Sequence, residues 1–443
     1  MPTPRWFATL IAPALVTAVA AAQEPLRLIE KFPVGYQYHV SSRFSGGGTL
    51  PVPAKKDRGT GQSLDMTGKS VAEYDERILD ADAGGEVHKT LRIFRQVDLH
   101  KTLGKDEFPL TIRPAVRRMV VLPEPNRRMP LPFSPDGPLT YAELDIVSKE
   151  VFTPSLAGLL PAGAVKPGDT WKVGAAAVIA LTNLEKIDEG AIDCRFDEIT
   201  TQLGRRVARV SLSGGVRGVD EFGPVRHVFD GYFYFDLQSN HLSYLTFKGQ
   251  HLFLDEAGKV GGKIEGTFTL TRQVNVRPPD FSDEALRAVN VFQNDDNTLM
   301  LYDNPDLGIR FEYPRGWKVA SNEGTTQILL DGPGGNGLMV TPLAPAEVPT
   351  AARYQTEAKA DIEQRFNGKI FGMQSAKMLQ GEPRPVERFA IEAEMRGQRQ
   401  LLDYFIVKQK NGGATLAATL LPDAVRDLRP QVERIAKSVV VTR

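Results

Sequence analysis

Six histidines, one cysteine, a glycine-rich hexapeptide and an acidic run are the groups in this sequence that could do chemistry, and spacing decides how far each can go. His39, His88, His100, His227, His241 and His251 form no H-x-H, H-E-x-x-H or mixed Cys/His pattern, the spacings that bring ligands onto one metal ion. His241 and His251 would be about 33 Å apart along one extended strand. The histidines are therefore expected as ordinary core or surface residues. Cys194, in "AIDCRFDEI", has no histidine near it in sequence to act as the base a catalytic thiol needs, so it is expected buried in a strand. "GPGGNG", Gly332 to Gly337, matches G-x-G-x-x-G, but a dinucleotide loop must join a strand to a helix whose amides meet the pyrophosphate. Here "QILLD" precedes and "LMVTPL" follows, which predicts a hairpin turn.

Asp295, Asp296, Asp303 and Asp306 raise the question of calcium, yet Leu299 and Met300 interrupt the alternation that an EF-hand-like loop requires, and its central glycine is missing. A solvated linker is expected there. No G-x-S-x-G elbow marks a nucleophile, although a triad drawn from distant residues would leave no local trace. In "YDERIL", Glu76 and Arg77 fall on opposite faces of a strand, and a cross-strand ion pair is expected for whichever points inward. The residues nominate no catalytic, cofactor-binding or metal-ligating position, and no cofactor.

The elements that would have to position such groups begin after residue 22. "MPTPRWFATLIAPALVTAVAAAQE" has one positive charge, an apolar run and an A-x-A site, the layout of a secretory signal peptide cleaved between Ala22 and Gln23. With no cysteine at the site, lipoprotein processing is not expected. With 443 residues the chain is long enough for two or three domains. Basic and acidic residues balance at 54 each, which gives no electrostatic reason to expect nucleic acid or an anionic membrane. Cys194 stands alone, so an exported chain must be held together by burial without an intrachain disulfide.

Residues 23–280 read as β-rich, an antiparallel barrel or curved sheet, with the proline-rich stretch 122–140 a possible division into two units. In "IEGTFTLTRQVNV" apolar Ile264, Phe268, Leu270, Val274 and Val276 alternate with polar residues, and "RHVFDGYFYFDL" does the same. Residues 281–300 read as a linker in which Ser282 caps a short helix through Phe292. From 301 to 443 the pattern becomes α+β, with helices expected over 350–366 and 425–439 and seven strands between 307 and 421. Trp317 in "PRGWKV" and Trp171 in "PGDTWKV" have different flanks and glycine spacings. They are expected as independent entries from turn to strand, each driving an aromatic into its own domain's core.

The stretch "YDNPDLGIRFEYPRGWKV" carries Gly308, Phe311, Tyr313, Pro314, Gly316 and Trp317, with Ile309 where an aromatic is usual, and the chain ends in "RDLRPQVERIAKSVVV". In these features residues 301–443 resemble the PsbP/Mog1-like α/β/α sandwich family, which includes the DcrB-like bacterial envelope proteins. The resemblance implies a fold and an extracytoplasmic accessory role, and no catalytic residues. "YDERIL", "LLPAGAVKPGDTWKV" and "GYFYFDLQSNHL" in the β-rich region resemble uncharacterised secreted proteins of planctomycete-type bacteria, and imply no activity.

A periplasmic or extracellular, non-enzymatic binding or accessory protein is the expected outcome, its β-rich region taking a partner protein or an apolar ligand of the cell envelope. No nucleic acid and no stable membrane anchor after signal cleavage are expected. One alternative is carriage of a lipid or other hydrophobic ligand, with Phe229, Phe233, Phe235, Phe268 and Leu270 lining a cavity. Another is an enzyme with a dispersed active site, which requires a concave pocket holding at least two convergent titratable groups.

Overall fold

Long runs of period-two alternation give the chain an almost wholly antiparallel architecture. The computed structural model describes residues 24–52, 62–123, 131–320, 326–379 and 385–442. The expected signal peptide with its Ala22 and Gln23, and part of the proline-rich stretch, lie outside them.

The first strands are β1 (Gln37–Val52), β2 (Gln62–Ala81), β3 (Val87–Leu103), β4 (Asp106–Thr111), β5 (Arg118–Leu122) and β6 (Leu131–Phe133). A mostly helical segment follows, with β7 (Leu139–Thr140), α1 (Tyr141–Lys149), a 3-10 turn over Thr153–Leu159, β8 (Thr170–Lys172) and α2 (Ala175–Thr182). Then come β9 (Lys186–Gln202), β10 (Arg205–Asp220), β11 (Gly223–Asp236), β12 (His241–Leu254) and β13 (Val260–Val274). All but β7 belong to one 12-stranded sheet in the order β6-β5-β3-β2-β1-β13-β12-β11-β10-β9-β8, with β4 added to β3. The edge strands β6 and β8 do not pair, so the sheet is open and the closed barrel, one of the two expected forms, is not what the chain adopts. β6, which lies within the proline-rich stretch, pairs directly with β5 before it, Val120 opposite Phe133.

One face of this sheet wraps the segment 141–182. Tyr74, Phe94, Phe196 and Phe233 from the strands share a single core with Ile146, Val147 and Leu156 from that segment. α1 starts at a capping box, in which Glu143 N donates to Thr140 Oγ1 while Thr140 N donates to Glu143 Oε2. Glu76, fully buried, joins the segment to the sheet by accepting from Arg92 Nε at 2.7 Å, from Tyr38 Oη at 2.7 Å and from Thr153 Oγ1 at 2.6 Å. Arg77 points the other way, to the Phe281 carbonyl and Asp283. This is the division expected of "YDERIL". Cys194 is buried and unpaired in β9.

Ser282 caps α3 (Asp283–Leu286), which stops well before the expected Phe292. The remaining strands are β14 (Met300–Asn304), β15 (Ile309–Tyr313), β16 (Lys318–Val319), β17 (Ile328–Asp331), β18 (Gly337–Leu343), β19 (Lys369–Leu379), β20 (Val386–Met395), β21 (Gln398–Gln409), β22 (Gly412–Leu420) and β23 (Val440–Val441). Between them lie α4 (Ala351–Ala360) and α5 (Val425–Ser438). A 7-stranded sheet runs β16-β17-β18-β22-β21-β20-β19. α5 and the β14–β15 hairpin bury Val340, Phe405 and Leu416 on one face, and α4 buries Phe389, Ile391 and Tyr404 on the other. Gly332–Gly337 joins β17 to β18 as the hairpin its flanks predict. Trp317 is buried, with Nε1 donating to Gln431. Trp171 is only half-buried on edge strand β8, with Nε1 donating to the Leu159 carbonyl. The two regions are stitched together where β7 pairs in parallel with β14, Leu139 opposite Met300, and Leu144 packs against both cores. No helix among the described residues is long and apolar enough to cross a membrane.

Candidate functional site

Gly68, Gly46, Gly266 and Gly249 stand directly opposite one another on the adjacent strands β2, β1, β13 and β12. Four neighbouring strands without a side chain at the same level leave a gap in the inner face of the sheet. Phe44, Phe268 and Phe247 form the next row, again in register, and the Phe44 and Phe247 rings lean over the glycines. The Phe247 and Phe268 centroids are 5.2 Å apart. A Cβ at Gly46 would lie 2.5 Å from the Glu265 carbonyl oxygen and 2.7 Å from Phe44 Cζ, and one at Gly266 would collide with the same ring. Gly68 and Gly249 differ, because a Cβ there would meet only ring carbons at ordinary distances of 3.6 and 3.5 Å. The far side of the gap is formed by His227 and His251, an opposed pair on β11 and β12, and Leu181 of α2 closes it from the helical segment. The result is an apolar hollow of about 300 Å³.

Its polar lining residues are the two histidines and Gln250, whose amide is engaged with Glu265. The histidine ring centroids are 4.5 Å apart, and the His227 ring stacks on Phe229 at 5.9 Å. Burial pushes the His227 imidazole down to about 3, with His251 adding to the effect. Burial also lowers His251, against the opposing pull of Asp220. Both rings are therefore uncharged near neutral pH. His251 Nε2 lies 3.4 Å from Asp220 Oδ2, within ion-pair reach but without hydrogen-bond alignment, and His227 Nε2 is buried with no hydrogen-bond partner. The lining residues include no Asp, Glu, Lys, Arg, Ser, Thr, Cys or Tyr. Such a site can hold an apolar chain and offer an imidazole nitrogen to one polar group; its lining supplies no hydroxyl, thiol, amine or carboxylate, and the two imidazoles are the convergent titratable pair that the alternative of a dispersed active site requires.

Of the five residues proposed from sequence to line a cavity, only Phe229 and Phe268 do so. Phe233, Phe235 and Leu270 are fully buried in the core. The hollow thus occupies one end of the sheet, and the middle of the sheet is solid. His39 bonds Asp75 at 2.9 Å, and His241 is buried beside Arg272. No group of three potential metal ligands occurs among the described residues. Sequence reading missed the meeting of His227 with His251 because it compared histidines along one strand; the β11–β12 pairing, with a bulge beside Tyr234, opposes them. A wider groove of about 670 Å³ lies between the two regions, lined by Tyr141, Tyr302 and Lys318 among others.

No protein-family model and no curated protein matches the chain. Among solved structures it is similar to the cyanobacterial PsbP of Synechocystis, at 11% identity over 32% of this chain and 92% of that one, with a TM-score of 0.27. It is also similar to the Ran-binding protein Mog1p of Saccharomyces cerevisiae, at 10% identity over 32% of this chain and 95% of that one, with a TM-score of 0.25. A third likeness, to lipovitellin, has 10% identity over 56% of this chain and 26% of that one, with a TM-score of 0.31. Likenesses this slight assign neither fold nor function.

Proposed function

We propose that the protein is a non-enzymatic binding protein of the cell envelope, exported by its N-terminal signal, whose β-rich region holds an apolar ligand in the glycine-floored hollow. The observation that carries this reading is the register of the four glycines. Side chains are absent from one level of four adjacent strands, while aromatic rings frame the space they leave. Burying apolar groups there is worth about 0.8 kcal/mol per methylene before the cost of association. A ligand of moderate size should then bind with a Kd on the order of 10 μM. The C-terminal unit is read as a PsbP/Mog1-like accessory module. That reading is supported by the motif from Gly308 to Trp317 and by helices on both faces of its sheet.

The experiment is titration of the full mature chain with the neutral fluorophore N-phenyl-1-naphthylamine. Wild type should give saturable enhancement. Gly249→Leu and Gly68→Leu, which project side chains into the hollow, should weaken it at least ten-fold while keeping a native melt. Undiminished binding in both variants would overturn the reading.

A further inference from the structure

Resting on that reading, we infer that the ligand of the hollow is an amphiphile with a single uncharged hydrogen-bonding head, such as an alcohol or ester, seated against His227, with its chain lying over the glycine row. Three observations converge on this class. His227 is 7% exposed and lines the hollow, yet its Nε2 has no partner. A buried polar atom left unmade is costly, so a ligand that supplies the missing hydrogen bond gains over one that does not. The charge around the hollow then decides between neutral and anionic heads. No lysine or arginine is among the lining residues, and the Asp220 carboxylate stands 3.4 Å from the neighbouring His251. An anionic head would enter without a cation to meet it and beside a fixed negative charge. A cationic head would have to lose its water with only uncharged imidazoles to receive it.

Size adds a limit. At about 30 Å³ per small group in a condensed phase, a hollow of about 300 Å³ holds roughly ten such groups. A chain of about ten carbons fits, and a longer one would extend out of the opening.

The test displaces N-phenyl-1-naphthylamine from the full mature chain with 1-decanol, sodium decanoate and 1-bromodecane at neutral pH. Wild type should bind 1-decanol about five-fold more tightly than 1-bromodecane, the ratio one net hydrogen bond gives, and decanoate more weakly than 1-decanol. His227→Phe should bind the alcohol and the bromide equally, and His227→Gln, which keeps a hydrogen-bonding group, should retain a preference for the alcohol. Melting curves of both variants confirm that they fold. Tightest binding of decanoate, or equal binding of alcohol and bromide by wild type, would overturn the inference while leaving the apolar-ligand reading intact. Failure of all three compounds and of the probe to bind would overturn the reading beneath it.

Discussion

His227 and His251 oppose each other across β11 and β12 with ring centroids 4.5 Å apart, His227 buried and His251 partly buried among phenylalanines at the edge of the glycine row. Burial holds the His227 imidazole down at about 3, below its ordinary 6.5. Between those two values the unfolded chain binds more protons than the folded one. The stability associated with His227 is therefore fully present above pH 6.5 and is lost as pH falls toward 3. Each unit within that window is worth about 1.4 kcal/mol. Urea unfolding at pH 7 and pH 5 should show wild type losing about 2 kcal/mol more than His227→Phe. Equal losses would contradict the buried, neutral ring.

The glycine row makes a prediction that discriminates within one row. Gly46→Ala places a methyl against the Glu265 carbonyl and the Phe44 ring, and should cost about 1–3 kcal/mol. Gly249→Ala meets only ordinary contacts and removes backbone freedom from the unfolded chain, so it should be neutral or stabilising by up to about 1 kcal/mol. Thermal melts of the two variants should shift in opposite directions or differ by several degrees.

At the other end of the sheet, Glu76 and Arg92 are both fully buried, and Tyr38, Thr90 and Thr153 complete the carboxylate's hydrogen bonds. Burial raises the Glu76 carboxyl, but Arg92, Thr153 and Tyr38 together outweigh it and leave the group lowered. Arg92→Met strands that carboxylate in the core and should destabilise by about 3–5 kcal/mol, whereas the double variant Arg92→Met with Glu76→Leu should recover a substantial part of the loss. Additive losses in chemical denaturation would show that the two residues act separately.

The two tryptophans should separate by burial. Trp317 is 2% exposed, and Gly332 packs so close to its ring that a Cβ there would lie 2.8 Å away. Trp317→Ala should cost about 3–5 kcal/mol. Trp171 sits half-buried on an edge strand, so Trp171→Ala should cost about 1–2 kcal/mol, less than its sequence context suggests. Comparable costs in urea unfolding would contradict this ordering.

What could be read from the sequence followed from short-range periodicity. β18 and β20 run over the residues their alternation indicates, and α5 follows the spacing of Leu428, Val432 and Ile435. β19 was missed because most of "KIFGMQSAKML" is exposed on both faces of an edge strand, so no alternation marks it. α2 escaped for the opposite reason, since "AAAVIALT" is apolar nearly all round and has no polar face to reveal a helical period. The hollow was out of reach because it is a property of pairing. Gly46, Gly68, Gly249 and Gly266 are spread over more than 200 residues, and only strand order and register bring them into one line. Phe233 and Phe235 look identical to Phe229 in sequence, and only the position of the helical segment decides which pack solidly and which face open space.

Whether the space above the glycine row accepts an apolar chain can be seen in a crystal of the mature protein soaked in 1-bromodecane and examined for the anomalous signal of bromine. Chain density is expected in contact with Phe44, Phe247 and Phe268, with a bromine peak in or at the mouth of the hollow. Rings collapsed onto the glycines, or an occupied bromine site elsewhere with only water in the hollow, would contradict that expectation.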